Sequence, residues 1–441
     1  MEVLVKITQF LLSLSILVIL HEFGHFLFAR LFNTRVEKFY LFFNPWFTLF
    51  KFKRGETEYG IGWLPLGGYV KIAGMIDESM DREQMKRPPQ PWEFRSKPAW
   101  KRLLIMLGGV LVNFILAIVI YASVLYVWGE EYLPTSEVKY GILVDKTGEE
   151  MGLRNGDIIY SLDQLPVENF YHIIPEIILN HRNTIQVKRN GMMINVVIPD
   201  TVYPKLIKGK VKIEPRLPFH PFLVNNFMKI SPGRDSGLKK GDEIAGIDGK
   251  QFEYYDEFKD YLTSRKGETV RLSVVRNKDT LNFPVKLTEN GMIGVVRDMS
   301  GLFTFKKVNY TFGQAIPAGI KKGFKTLNDY LKQLKLIFSP QMKAYESLGG
   351  FITIGSIFPG VWDWNAFWNL TAFLSIILAI MNLIPIPGLD GGHVMFLLYE
   401  VVSGRKPGEK FLEYAQIVGM IIILALLLFA NGNDILRLLK K

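Results

Sequence analysis

Residues 17–27 read Leu-Val-Ile-Leu-His-Glu-Phe-Gly-His-Phe-Leu and lie within an apolar segment from Ile7 to Ala29. The only ionisable side chains of that segment are His21, Glu22 and His25. On a helix the two histidines lie one turn apart on one face, which is the spacing that a zinc ion needs, and the glutamate can act as a general base. Ionisable groups at bilayer depth are costly and are usually functional. The stretch therefore predicts metal-dependent hydrolysis within a membrane.

Two simpler interpretations of this stretch exist. A His-Glu-x-x-His pattern fixes only three residues, but a chance match would normally lie on a polar surface helix rather than in an apolar segment. The apolar segment also resembles a signal peptide with Lys6 as its charged flank. No small-residue cleavage site follows it, however, and Glu22 would interrupt the apolar core of such a peptide.

The composition indicates a protein that is partly embedded in a membrane. The chain has 441 residues, enough for two to four domains, and 49% of them are hydrophobic. The net charge of +11 is carried largely by Lys and Arg near apolar segments, so it points to lipid rather than to nucleic acid. The chain has no cysteine, which excludes disulfides and Cys-ligated metal. A bound metal must therefore use His, Asp or Glu.

Four segments are long enough to cross about 30 Å of hydrocarbon. They are Val3–Ala29, Leu103–Trp128, Ala366–Leu389 and Tyr414–Asn433. Lys and Arg are concentrated between the first and second segments, and Arg405, Lys406 and Lys410 lie between the third and fourth. The positive-inside rule places both of these connections in the cytoplasm. The long segment from about 130 to 365 is then expected outside.

Short apolar runs broken by Gly and Pro lie between Glu58 and Met75 and predict β-hairpins next to the membrane. One interpretation is that this region dips into the membrane or offers an edge strand to an extended peptide. Gly67, Gly68 and Tyr69 are then candidate substrate-binding residues. The other interpretation is a surface hairpin whose apolar face packs on the helices.

The outer segment contains an internal repeat. The run Gly152-Leu-Arg-Asn-Gly-Asp157 reappears as Gly237-Leu-Lys-Lys-Gly-Asp242, each followed by an apolar strand. Gly-Leu-x-x-Gly-Asp before a strand resembles the signature turn of PDZ domains, which bind extended peptides at a sheet edge. We therefore expect two tandem PDZ-like α+β domains, over 131–213 and 214–300. They are either peptide-binding domains or rigid spacers.

Apolar residues recur every three or four positions from Ile316 to Phe338, with five lysines among them. This pattern predicts a basic amphipathic helix on the membrane surface. A helix packed on the PDZ-like pair is the alternative.

The first and last parts of the chain, 1–130 and 301–441, then each contribute two membrane helices.

Two histidines do not complete a catalytic zinc site, which usually has three protein ligands and one open position. The candidate third ligand is in the run Asn382-Leu-Ile-Pro-Ile-Pro-Gly-Leu-Asp390-Gly-Gly-His393. Pro385 and Pro387 break the helix there, and a broken helix at membrane depth is tolerated where it lines an enclosed cavity. By topology Asp390 and His25 both lie toward the cytoplasmic face. His393 remains a rival third ligand.

These motifs together resemble the site-2 protease family of intramembrane zinc metalloproteases, and within it the bacterial branch of regulator of sigma-E proteases. The resemblance covers essentially the whole chain and keeps the order of the elements. It implies that His21, His25 and Asp390 bind one Zn²⁺ per chain and that Glu22 is the catalytic base. It also implies that Asn382 holds the substrate backbone and that Gly109 and Asn113 lie near the site, where they too are candidate substrate-binding residues. Val110 stands where the family usually has proline, and Gln164 stands where PDZ domains usually have glycine.

The resemblance implies a polytopic α-helical protein of the bacterial inner membrane with four transmembrane helices, PDZ-like domains that are periplasmic or otherwise extracytoplasmic, and a membrane-associated β-hairpin region. Its expected partners are the lipid bilayer and single-pass membrane-protein substrates that another protease has already trimmed, and no nucleic acid. Such substrates include anti-sigma-factor-like regulators, and the sequence leaves open whether signal-peptide remnants are cleaved as well. Two other classes remain. One is a non-enzymatic receptor that binds peptide tails through its PDZ-like pair, and the other is a metal transporter, for which spans two and four offer almost no polar groups.

Overall fold

A computed structural model describes residues 1–65, 67–75, 88–209, 211–337 and 349–439. The chain divides into two compact units. The first, which we call the helical unit, contains residues 1–130 and the described residues from 309 to 439. The second, which we call the strand-rich unit, contains residues 131–308.

The α-helices are numbered in chain order. They are α1 Glu2–Leu31, α2 Ala99–Trp128, α3 Lys146–Glu150, α4 Ile173–Asn180, α5 Tyr203–Ile207, α6 Pro232–Asp235, α7 Tyr255–Ser264, α8 Phe312–Ile337, α9 Phe351–Ser356, α10 Trp364–Leu383, α11 Asp390–Ser403 and α12 Glu409–Leu439.

The strands follow the same numbering. They are β1 Val36–Leu41, β2 Phe43–Arg54, β3 Thr57–Leu64, β4 Tyr69–Ile72, β5 Glu130–Tyr132, β6 Ile142–Val144, β7 Ile158–Leu162, β8 Leu165–Pro166, β9 Thr184–Arg189, β10 Met192–Val197, β11 Ile213–Pro215, β12 Val224–Phe227, β13 Glu243–Ile247, β14 Thr269–Arg276, β15 Asp279–Lys286, β16 Val295–Arg297 and β17 Lys306–Val308.

Within the described residues, four helices are long and apolar enough to cross a membrane, namely α1, α2, α10 and α12. They overlap the four predicted spans, so that prediction is confirmed. The third span is shorter than predicted, because α10 ends at Leu383 and the chain turns through Pro385 and Pro387. The connection to the fourth span is not a simple loop either, because it contains the 14-residue helix α11, which begins at Asp390.

Helices α1 and α2 cross at three glycines with almost no space between their backbones. A Cβ atom on Gly24 would lie 2.3 Å from the carbonyl oxygen of Gly108, and a Cβ on Gly108 would lie 2.5 Å from that of Gly24. Gly109 is the next residue along α2. Small residues let membrane helices approach this closely. The crossing holds the histidine-bearing part of α1 directly against α2.

The strands β1 to β4 form one mixed sheet in the order β2-β3-β1-β4. β2 and β3 are an antiparallel hairpin, whereas β1 pairs with β3 in parallel and with β4 antiparallel. The prediction of a hairpin within Glu58–Met75 is therefore wrong in its pairing, because β1 lies between β3 and β4. Among the described strands, β4 forms one edge of the sheet, and this position determines what it contributes to the site described below.

The strand-rich unit contains two hydrophobic cores, and each includes one copy of the predicted repeat. Asp157 and Asp242, at corresponding positions, both accept hydrogen bonds from a backbone N–H three residues earlier and from an arginine on a later strand. Those arginines are Arg189 and Arg276, which also donate to the carbonyl oxygens of Gly152 and Gly237. The internal repeat of the sequence is thus also a repeat of local structure.

Gln164 adopts the left-handed conformation that the missing glycine would favour, with φ of 65°. Its neighbour Asp163 accepts hydrogen bonds from the backbone N–H groups of Asn183 and Thr184. Between the two cores, Arg216 pairs with Asp256 at 2.8 Å and lies 3.5 Å from the ring centroid of Tyr254. These contacts connect the first core to α7 of the second.

Helix α8 is the amphipathic helix predicted from the lysine-rich segment, and it packs on α2. A Cβ on Gly319 would lie 2.6 Å from the backbone nitrogen of Ala122, and Lys322 Nζ donates to Asn369 Oδ1 on α10 at 3.1 Å. Of the predicted apolar face, Leu327 and Leu334 pack against buried residues of α2 and α10, whereas Phe324 is 53% exposed. Phe338 lies outside the described residues. The sequence did not predict this contact with α2.

Candidate metal centre

Helix α1 brings His21 and His25 to the same buried face, because residues four apart lie one turn apart. The two residues are 7% and 6% exposed, respectively. The side of the helix that carries them faces α2, and a Cβ on Gly109 would lie 2.5 Å from His21 Cε1 and 2.6 Å from His25 Nε2. Both imidazole rings therefore rest directly on the α2 backbone, and no side chain fits at position 109 without moving them.

Three ligand-type atoms converge at this point. Asp390 Oδ2 lies 3.1 Å from His21 Nε2 and 3.2 Å from His25 Nε2, and the two nitrogens are 3.2 Å apart. Among the described residues, this is the only group of three or more His, Cys, Asp or Glu whose ligand atoms lie close enough to share a metal ion. Residues 21 and 390, from opposite ends of the chain, thus meet at one point.

The outer nitrogens of the imidazoles are held by α2. His25 Nδ1 donates to the carbonyl oxygen of Ile105 at 2.9 Å, and since a carbonyl only accepts, His25 Nε2 keeps its lone pair in the neutral ring. His21 Nδ1 lies 3.2 Å from the side-chain amide of Asn113, which is itself fully buried. With its amide oxygen turned toward the ring, Asn113 would accept the Nδ1 proton in the same way. Such hydrogen bonds orient metal-binding histidines.

The three residues fit a zinc ion. Asp390 Oδ2 is buried and has no hydrogen-bond partner among the described residues, which is costly for a carboxylate oxygen unless a cation lies beside it. Tetrahedral zinc with bonds of about 2.0–2.2 Å needs its ligand atoms roughly 3.3–3.6 Å apart. The observed separations of 3.1–3.2 Å are within a few tenths of an ångström of that requirement. Two imidazoles and one carboxylate are also a donor set that zinc accepts in catalytic sites.

Asp390 reaches the site because the chain breaks after α10 and restarts at this residue. A Cβ on Gly391 would lie 2.2 Å from the carbonyl oxygen of Ile384, and one on Gly392 would lie 2.5 Å from Pro387 Cα. The two glycines therefore let the first turn of α11 pack against the proline-containing turn. A carboxylate in the first turn of a helix also interacts favourably with the helix dipole.

A cavity of about 610 Å³ opens onto the three ligand atoms. This size is within the usual range for ligand-binding pockets. Its lining includes the metal-site residues and the predicted residues Glu22, Asn382, Gly67, Gly68 and Tyr69. Asn382 Nδ2 lies 3.2 Å from His21 Nε2. The cavity thus has space next to both the candidate metal site and a carboxylate.

The edge strand β4 forms one wall of this cavity, since all four of its residues line it. Tyr69 is fixed by stacking on Tyr40 and Phe43 and by donating a hydrogen bond to Asn44 Oδ1. Gly68 has room for no side chain, because a Cβ there would lie 2.8 Å from Val18 and 2.7 Å from the carbonyl oxygen of Tyr40. The glycines let the strand approach α1 beside Glu22.

The structure separates the predicted residues into two groups. Glu22, Asn382, Gly67, Gly68 and Tyr69 line the cavity, whereas Gly109 and Asn113 are not among its lining residues and lie on α2 beneath the imidazoles. His393 lines the cavity but is not in the group of three that can share an ion.

Gln416 and Lys38 also line the cavity, although neither was among the residues predicted for the site. Gln416 is 9% exposed and lies on α12, directly before the apolar run of residues 417–430. An amide next to this run was the available signal. Lys38 is on β1, and no signal was available because the strand had not been predicted.

The chain matches known proteins along nearly its whole length. A family model described as peptidase family M50 matches residues 9–426. The regulator of sigma E protease of Haemophilus influenzae is 27% identical and covers 99% of this chain and 100% of its own length. A Rickettsia conorii protein named as a zinc metalloprotease is also 27% identical, over 99% of each chain.

Among solved structures, the PDZ domain of an SdrC-like protein from Listeria monocytogenes is 29% identical. The match covers 18% of this chain and 88% of that domain, with a TM-score of 0.16.

Proposed function

The chain belongs to peptidase family M50, the site-2 proteases, and is a zinc-dependent intramembrane protease; from that premise we propose that His21, His25 and Asp390 bind the zinc ion and that Glu22 is the general base. The observation that carries this assignment is that three ligand atoms lie within 3.2 Å of one another. One of them, Asp390 Oδ2, is buried and has no hydrogen-bond partner within the part of the chain that the structure describes.

Glu22 performs the proton transfers of the reaction. A zinc ion held by these residues would act as a Lewis acid, which lowers the pKa of water toward neutrality and polarises the scissile carbonyl. Glu22 lines the cavity one residue from His21, so its carboxylate can accept a proton from the attacking water. The same group then donates that proton to the leaving amine.

The amides on either side of His21 have different roles in this proposal. Asn113 is buried behind the ring and keeps it in the orientation that presents Nε2. Asn382 faces the cavity, where its amide can hydrogen-bond the backbone of a bound substrate. Gly109 supports both rings rather than touching the substrate, because its space is filled by the imidazoles.

The substrate binds as an extended strand along β4. A transmembrane helix has its carbonyls hydrogen-bonded internally, so it must unwind before hydrolysis. Each backbone group released in this way is costly at membrane depth unless it finds a partner. An edge strand presents N–H and C=O groups that pair with an added strand, and β4 lines the cavity with all four of its residues. Gly67, Gly68 and Tyr69 belong to this binding edge.

The strand-rich unit then forms two PDZ-like domains, over 131–213 and 214–300, on the outer side of a bacterial inner membrane. Each surrounds one of the two hydrophobic cores. The basic residues of the first and last loops support a cytoplasmic location for the catalytic site. The substrates are single-pass membrane proteins, such as anti-sigma-factor-like regulators or signal-peptide remnants, that another protease has already trimmed outside. The PDZ-like pair restricts access to such trimmed forms.

Substituting Glu22 tests the mechanism. We expect Glu22→Gln to retain one zinc per chain by metal analysis but to cleave a membrane-spanning reporter about 10²–10⁴-fold more slowly, the usual contribution of a general acid–base group. Glu2→Gln, at an exposed position on the same helix, is the control and should cleave normally. Normal cleavage by Glu22→Gln would exclude Glu22 as the base.

A further inference from the structure

We infer that the buried ion pair between Arg102 and Glu400 fixes the position of Asp390 and thereby the geometry of the metal site. Arg102 Nη2 lies 2.5 Å from Glu400 Oε1, and both side chains are 10% exposed. The pair joins α2 to α11, the helix that begins with Asp390. The inference rests on the proposed roles of His21, His25 and Asp390.

One turn of α2 contacts both parts of the site. The carbonyl oxygen of Ile105 accepts the hydrogen bond from His25 Nδ1, and Arg102, three residues earlier, pairs with Glu400. The guanidinium is fixed in turn, because Arg102 Nε donates to the carbonyl oxygen of Lys97 at 2.9 Å. His25 and helix α11, which carries Asp390, are therefore both held by the same short segment of α2.

The position of α11 needs such a fixed point. Its first turn packs on the proline-containing turn, which follows a broken helix. Farther along, Val394 and Leu397 pack with Ile105 and Met106, but apolar packing is non-directional and allows a helix to slide or rotate. A charged, hydrogen-bonded pair specifies one register. Glu400 is ten residues from Asp390, about 15 Å along a rigid helix, so a shift at one end is transmitted to the other.

The test compares zinc affinity with folding stability in the full-length protein. Zinc affinity is measured by competition with a chromogenic chelator, and stability by thermal unfolding without metal. We expect Glu400→Gln to weaken zinc binding by about 10-fold, the lower end of the loss that follows when a group that orients a metal ligand is changed. The visible spectrum of the Co²⁺-substituted protein should also change, since it reports the ligand geometry. The double variant R102E/E400R should recover much of the affinity.

Asp434→Asn is the matched control. Asp434 is also a buried carboxylate of the helical unit, 2% exposed, and it accepts hydrogen bonds from the backbone of Gly350 and Thr353 without lining the cavity. Its replacement should lower the unfolding temperature and leave zinc affinity and the Co²⁺ spectrum unchanged. If it weakens zinc binding as much as Glu400→Gln does, the effect is general destabilisation and the inference is overturned.

Asp390→Ala separates this inference from the proposed ligand set. If Asp390→Ala weakens zinc binding and Glu400→Gln does not, the ligand set stands and the positioning role is wrong. If Asp390→Ala binds zinc normally, the ligand set itself fails. Should Glu400→Gln not fold, Arg102→Lys keeps the charge but loses the planar guanidinium, and its zinc affinity and Co²⁺ spectrum decide the question in the same way.

Discussion

Gly109→Ala should disrupt the proposed metal site without replacing any of its proposed ligands. The added Cβ would lie 2.5 Å from His21 Cε1, 2.7 Å from His21 Nδ1 and 2.6 Å from His25 Nε2. Non-bonded carbon atoms prefer about 3.5–4.0 Å, so the overlap is about 1 Å with both rings. The rings cannot retreat into free space, because Ile105 and Asn113 contact their outer nitrogens.

The expected loss follows from the tolerance of zinc for its ligands. Ligand distances in zinc sites hold to within about 0.2 Å, so a ring displacement of about 1 Å separates Nε2 from its bonding position. We expect zinc affinity to fall by about 100-fold, the upper end of the effects seen when groups around metal ligands change. Overpacking alone should lower the free energy of unfolding by about 1–3 kcal/mol. Cleavage of the reporter should fall with the bound zinc.

The assay is chelator competition and thermal unfolding on the purified protein, with Gly313→Ala as control. Gly313 is also a helical glycine, but nothing lies within 4 Å of its added Cβ. That substitution should keep full zinc affinity and stabilise the helix by up to about 1 kcal/mol. A Gly109→Ala protein with parental zinc affinity and unfolding temperature would refute the close contact between α2 and the imidazoles.

Two further predictions concern other parts of the molecule. Gly419→Ala should lower the free energy of unfolding by about 1–3 kcal/mol or more, because its Cβ would lie 1.5 Å from the carbonyl oxygen of Pro387. The control is Gly432→Ala on the same helix, which has open space around it and should not lower the free energy of unfolding. Equal unfolding temperatures for the two variants would contradict the contact. Although burial opposes ionisation of Asp242, hydrogen bonds from Arg276 and from the Lys239 backbone hold its pKa below the usual range. The stability that this pair adds is therefore present above about pH 4, the unfolded pKa, and is lost as pH falls through the lower folded pKa. Asp242→Asn should accordingly unfold more easily than the parent in denaturant at neutral pH, and a difference that stays constant well below pH 4 would contradict the assignment.

The sequence predicted the features that depend on local periodicity. The His-Glu-x-x-His spacing places both imidazoles on one face of any helix, and the four apolar segments are long enough to span a membrane whatever their packing. Asp390 was predicted because it was the one carboxylate at the end of an apolar span. The two Gly-Leu-x-x-Gly-Asp runs predicted a structural repeat, which Arg189 and Arg276 complete in the same way in each copy.

What the sequence did not predict depends on contacts between distant residues. The parallel pairing of β1 with β3 cannot be inferred from alternation within either strand, so the hairpin was assigned to the wrong pair. Helix α11 was missed because it is short and follows two prolines, and its pairing with α2 spans 298 residues. The packing of Gly319 on Ala122 was missed because glycine in a lysine-rich amphipathic pattern carries no signal of its partner.

The meeting of residues 21 and 390 also affects when the enzyme can become active. During synthesis the two histidines are inserted with the first span, but the carboxylate that joins them emerges only after most of the chain has been translated. A chain that stops before residue 390 therefore carries the motif without the third ligand of the proposed set. Zinc binding by all three proposed ligands, and the hydrolysis that depends on it, therefore has to wait until Asp390 has been synthesised and folded against α1.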